Sequence, residues 1–263
     1  LYELPHIMVL YNDPEDIVLK DLKAQRKDLP LLYDFDLNMK GGHAKGYFVQ
    51  DSERVAQKLD SLCNEDGLLF VVGDGNHSLA AAKACWEEIK RDLTPEETVV
   101  HPARFAMVEL ENIHDDALRM EPIHRVLFGC DGDDLLDEIA AFAAAKGATL
   151  AAGPQAQEIA VVYEGKEVTL SIEGSPYKLA VGTLQAFLDG WLSAHPQARL
   201  DYIHGEDTVR TLVAGEGAVG FLLPTPERDR LFDTIRAEGA LPRKTFSLGS
   251  ANEKRYYMEC RRL

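Results

Sequence analysis

"VVGDGNHSLAAAK", Val71 to Lys83, passes from an apolar run through an acid, two glycines, an amide and an imidazole into a helix-like run. The preceding "EDGLLFVVGDG" is a short apolar stretch with glycines at both ends and reads as a buried strand. From Ser78 to about Arg91, Leu79, Ala82, Cys85, Trp86 and Ile89 recur at three and four residues, while Lys83, Glu87 and Lys90 fall largely on the other side. That spacing predicts an amphipathic helix, so the unit is strand, loop, helix.

A loop that leaves a strand and opens a helix presents backbone amides with no intrahelical acceptor, and these favour an anion. Gly73 and Gly75 allow backbone angles that a side chain hinders. Asp74 can hold a divalent metal or accept a proton, Asn76 or Ser78 can cap the helix, and His77 can donate to an oxyanion. The same residues also make an ordinary turn: Asp-Gly and Gly-Asn are turn dipeptides, and a cap contributes about 1 kcal/mol with no ligand present. Neither the Walker A pattern nor the third glycine of a dinucleotide fingerprint is present.

Outward from this unit, "HIMVLY", "LLYDFDL" and "GGHAKGYFVQ" read as strands with a turn at Gly41 and Gly42, and Ser52 is a candidate cap for a helix through "SERVAQKLDSLCN". "PARFAMVELENI" and "PIHRVLFG" follow as strands, and "CDGDDLLDEIAAFAAAKGA" as a helix with acids near its start. "IAVVYEGKEVTLSI" predicts a hairpin turning about Glu164 to Lys166, after which helix and strand alternate to the end. The expected fold is α+β, with mixed sheets and helices. The expected division is an N-terminal part over 1–129 carrying the loop and a C-terminal part over 130–263. The basic tail "LPRKTFSLGSANEKRYYMECRRL" is either a solvated C-terminal strand or an anion-binding element.

The chain has 263 residues, 46% hydrophobic, enough for a substantial core, and carries a formal charge of −16. Such a surface repels nucleic acid, so none is expected as a partner. Four scattered cysteines fit a reduced cytoplasmic protein, and no apolar stretch approaches the roughly 20 residues that span a bilayer. The start at Leu1 leads us to expect that the native N-terminus is missing. No H-x-x-x-H or H-E-x-x-H pair and no G-x-S-x-G nucleophile motif occurs.

Several segments together resemble the uncharacterised bacterial and archaeal family catalogued as domain-of-unknown-function family 1015. Its Asp-Gly-His-His-Arg loop is matched by "DGNHS" at Asp74, Gly75 and His77. Its Pro-x-His-Arg element is matched at Pro122, His124 and Arg125, its Tyr-x-His segment in "LDYIHGED" at His204, and its closing Pro-x-Lys-Ser/Thr element at Pro242, Lys244 and Thr245. Asn76 stands where the family has the first histidine, and Ser78 where it has arginine. The loop also resembles, more locally, the phosphate loop of the superfamily joining ParB-type partition proteins, sulfiredoxin and a free-serine kinase. That likeness implies a strand-loop-helix unit cradling nucleotide phosphates. Sulfiredoxin chemistry needs a loop cysteine, which is absent between Val71 and Lys83.

These readings lead first to a nucleotide- or phosphate-binding enzyme, a small-molecule phosphotransferase, taking a nucleoside phosphate with a divalent metal. Gly73, Gly75, Asn76 and Ser78 would hold phosphate, Asp74 would act as base or metal ligand, and His77 as phosphate donor. Arg125 and Lys244 would stabilise charge, with His124 catalytic and His204 ligand-binding. A second expectation is a metal-dependent hydrolase or lyase with Asp74, His77, His124 and His204 around one ion. A third is a non-catalytic ligand-binding module that keeps the pocket without turnover.

Overall fold

A computed structural model describes residues 2–4, 7–63, 67–249 and 258–263. The chain is α+β, with eight α-helices among the described residues. It divides into two compact units, Leu1–Arg119 with Leu248–Leu263, and Met120–Ser247. The expected boundary after 129 lies just beyond the end of a strand that belongs to the second unit's sheet, and the last residues of the chain belong to the first unit. No helix among the described residues is long and apolar enough to cross a membrane.

The first unit contains β1 (Tyr2–Glu3), β2 (Met8–Tyr11), α1 (Lys20–Gln25), β3 (Leu31–Asp36), β4 (His43–Tyr47), α2 (Ser52–Ser61), β5 (Val71–Asp74), α3 (Asn76–Ile89), α4 (Pro95–Val100) and β6 (Glu109–Asn112). A three-stranded sheet has the order β5-β2-β6, with β2 antiparallel to β5 and parallel to β6; β3 and β4 form a separate antiparallel pair. Tyr11, Val18 and Leu59 are buried together, with Val55 and Leu62 of the α2 region packed on them. These are apolar positions at helical spacing on one face of α2.

Four local readings are corrected. The cap of α2 is Asp51, whose carboxylate accepts the Arg54 amide at 3.1 Å; Ser52 is already the first helical residue. The run before the loop is a strand only over Val71–Asp74 and is half-buried, because β5 lies at the edge of its sheet with a single partner strand. The start of "PARFAMVELENI" is a 3-10 turn over Pro102–Arg104, where Pro102 donates no amide, and the strand begins only at Glu109. The helix of the opening stretch begins at Asn76, two residues before Ser78, and neither Asn76 nor Ser78 caps it. His6, the acids at 65–66 and tail residues 250–257 lie outside the described residues.

The second unit contains β7 (Met120–Phe128), α5 (Gly132–Ala145), β8 (Thr149–Leu150), β9 (Gln157–Tyr163), β10 (Lys166–Glu173), α6 (Ala180–Ala194), β11 (Arg199–His204), α7 (Glu206–Leu212), β12 (Ala218–Leu222), α8 (Arg228–Glu238) and the first two residues of β13 (Phe246–Leu248), whose last residue belongs to the first unit. Its strands run in the order β11-β7-β12-β9-β10-β8, with β13 also paired to β7. Successive strand residues face opposite sides, and both sides are covered. Leu127, Val161 and Phe221 pack with Leu135 and Ile139 of α5 and Leu184 and Leu188 of α6. Val126 and Val162 pack with Val209 and Val213 on the other face. Burial on both faces accounts for the unbroken apolar runs "VLF" and "AVV". The hairpin turns at Glu164 and Gly165, as its sequence predicts. The chain ends in the first unit with β14 (Arg261–Arg262), antiparallel to β1.

Candidate functional site

The loop between β5 and α3 is shaped by two glycines with different tasks. Met8 pairs with Asp74 while the next residue, Val9, pairs with Val72, so Gly73 is the extra residue of a bulge. A Cβ on Gly73 would lie 2.7 Å from Leu248 Cδ1 and 2.9 Å from Leu10 Cγ, so packing alone demands glycine there. Gly75 adopts φ +88°, in the left-handed region, and turns the chain directly into α3.

The start of α3 has no side-chain cap and no acid in its first turn. Its first intrahelical bond runs from the Leu79 amide to the Gly75 carbonyl at 2.9 Å. The amides of Asn76, His77 and Ser78 therefore have no acceptor within the helix, and all three residues are exposed. A 14-residue helix adds its dipole to those donors. The predicted stripe Leu79, Ala82, Cys85, Trp86 and Ile89 forms the half-buried face of α3, which fixes the direction of the helix.

Asp74 is the half-buried acid of the loop, and its Oδ1 accepts the Gly75 amide at 2.7 Å. Across the sheet Asp74 aligns with Met8, and Met8 with Glu109. Two positions along β6, the Glu111 carboxyl is pushed up to about 7, first by burial and then by the charge and hydrogen bond of Glu109. The loop thus combines anion-favouring amides with an acidic row on the same small sheet.

The second unit holds the other named residues. His124 and Arg125 are neighbours on β7 and therefore point to opposite faces of the sheet. His124 is buried, and its Nδ1 accepts the Leu223 amide at 3.1 Å, which places the ring proton on Nε2; burial pushes its pKa down. Arg125 has no exposed surface. It donates to the Ile123 carbonyl, to Gln185 Oε1 at 3.4 Å and to the Arg243 carbonyl at 3.1 Å, and its guanidinium lies 5.2 Å from the Tyr202 ring centre. Burial lowers its pKa to about 10.

Those bonds join three sequence elements that lie far apart in the chain. Arg243 in turn donates to the Tyr202 hydroxyl at 2.7 Å and to Asp189 at 2.9 Å, and Gln185 donates to Asp189 at 2.8 Å. Thr245 closes the turn by donating to the Pro242 carbonyl at 2.6 Å, and its own carbonyl accepts the Ile123 amide. Lys244 is exposed on this turn at φ +57°, and exposed His204 places Nδ1 3.5 Å from Ser247 Oγ. Sequence reasoning missed Gln185, Asp189 and Arg243. Gln185 and Asp189 are one helical turn apart in α6, a spacing that signals a shared face but not a partner. Among the described residues, no group of three or more histidine, cysteine, aspartate or glutamate side chains is arranged to hold a metal ion.

Comparison with solved structures finds likeness to a free serine kinase mutant in complex with AMP, at 13% identity and TM-score 0.39, covering 95% of this chain and 86% of that one. A conserved hypothetical protein from Pyrococcus furiosus matches at 11% identity and TM-score 0.39, covering 95% and 90%. SbnI with a C-terminal truncation, from Staphylococcus aureus, matches at 11% and 0.37, covering 93% and 80%. No curated protein matches the chain significantly. The model of one protein family matches residues 2–191, most of the chain and both the loop and the Pro-x-His-Arg element, and the chain belongs to that family, described as "Protein of unknown function (DUF1015)".

Proposed function

We propose that this protein binds a phosphate-bearing small molecule, a nucleotide first among them, at the start of α3 and acts as a small-molecule phosphotransferase. The observation that carries the reading is the trio of amides without an intrahelical acceptor at the exposed residues Asn76, His77 and Ser78, with no side-chain cap and no acid in the first helical turn. Gly73 and Gly75 shape the seat, and the exposed His77 imidazole is the side-chain donor beside it. Asp74, fixed by the Gly75 amide, is the candidate base or metal ligand. In the second unit, Arg125 is a positioning residue that holds the turn carrying the exposed Lys244. His124 and His204 stand on the paired strands β7 and β11 of the same sheet.

A binding module without turnover is the second reading, favoured because Asp74 already accepts a hydrogen bond from its own loop. Thermal shift against ATP, ADP, CTP, GTP and pyrophosphate, with and without magnesium, tests the first claim. Stabilisation by at least one phosphate compound, reduced in His77→Ala, is expected. Identical responses of wild type and His77→Ala to every compound would remove the proposal, and binding without product formation would select the second reading.

A further inference from the structure

A cavity of about 290 Å³ in the first unit runs along α3. Ser78, Ala82 and Cys85 line its helix side, and Tyr2, Ala103 and Phe105 are among its other walls. Positions 78, 82 and 85 form one helical face that begins in the same turn as those three amides. Two aromatic side chains on the walls are largely exposed, Tyr2 at 67% and Phe105 at 59%.

The walls are tied together. Glu3 accepts the Met107 amide at 3.2 Å and the Arg261 guanidinium, which also donates to the carbonyls of Pro102 and Phe105. The acid on the wall is thus already countered, and an apolar hollow with exposed rings remains beside an anion seat. Its volume lies near the lower end of ligand pockets, about 300 Å³, which is room enough for a heterocyclic base. Aromatic walls accept the π face of any such ring.

We infer that this cavity seats the base of a nucleoside phosphate whose phosphate groups rest on the amides of Asn76, His77 and Ser78. The inference rests on the phosphate reading above and adds the recognition of the base. Ser78 belongs to both parts: its amide lies in the phosphate seat and its side chain on the cavity wall. The half-buried Cys85 thiol reports on the far end of the hollow.

The test compares pyrophosphate with ADP, GDP, CDP and UDP by calorimetry on wild type and Ala82→Phe, whose ring would fill the cavity. At least one nucleoside diphosphate should bind wild type tenfold or more tightly than pyrophosphate, and Ala82→Phe should abolish that advantage while leaving pyrophosphate binding unchanged. Independently of any substitution, that nucleotide should slow alkylation of Cys85, followed by peptide mass, by at least fivefold, and pyrophosphate should not. Equal binding of pyrophosphate and all four nucleotides, or unchanged Cys85 labelling, overturns the base site while the phosphate reading stands. Failure of every compound to bind overturns both.

Discussion

Asp74 Oδ1 accepts the amide hydrogen of Gly75 at 2.7 Å, so the loop's only carboxylate is held by the residue that turns the chain into α3. The carboxylate therefore stands close to an anion seat, where its charge opposes phosphate binding while its basicity serves transfer. An asparagine at this position keeps the hydrogen bond and loses both charge and basicity. Asp74→Asn should bind pyrophosphate several-fold more tightly than wild type by calorimetry while losing at least a hundredfold in any phosphoryl-transfer rate. Loss of binding and rate together would show that Asp74 serves the seat rather than the chemistry.

Arg125 offers a second test, because three acceptors from different parts of the second unit depend on one planar guanidinium. An ammonium at the same depth keeps the buried charge but cannot reach all three acceptors. Arg125→Lys should therefore cost about 3 kcal/mol in urea denaturation, and Arg125→Met less, since it removes the buried charge as well. A lysine variant as stable as wild type would contradict the positioning role.

Glu111 sets a pH dependence. Its carboxyl, raised from 4.5 to about 7 in the fold, favours the protonated form relative to the unfolded chain. The stability it contributes is fully present below pH 4.5 and is lost as pH rises through about 7, when it ionises beside Glu109. The melting temperature of Glu111→Gln should accordingly fall less than that of wild type between about pH 5 and about pH 8. Parallel melting curves across that range would show that the fold does not raise the Glu111 carboxyl.

The helical face of α3 was legible because Leu79, Ala82, Cys85, Trp86 and Ile89 obey a local period, and the Glu164–Gly165 hairpin because its turn is two residues long. The strand before the loop was misread as buried: apolar runs look alike at the edge and the centre of a sheet, and only pairing distinguishes them. Asn76 and Ser78 looked like caps by type, but capping depends on which residue takes the non-helical angles, and here that residue is Gly75. Arg125 was legible as a marked residue but not as a buried one, since its acceptors include the Arg243 carbonyl, 118 positions away. The cavity was invisible for the same reason: its wall joins Glu3 to Arg261 across nearly the whole chain.

An anion seat made by the amides that open α3 should respond sharply to Asn76→Asp. The substitution is nearly isosteric and places one negative charge in the first helical turn, where it complements the helix dipole by about 0.3–1 kcal/mol but repels a bound anion. Asn76→Asp should melt at or above the wild-type temperature and lose at least tenfold in pyrophosphate affinity. Unchanged affinity in a folded Asn76→Asp protein would contradict the anion seat.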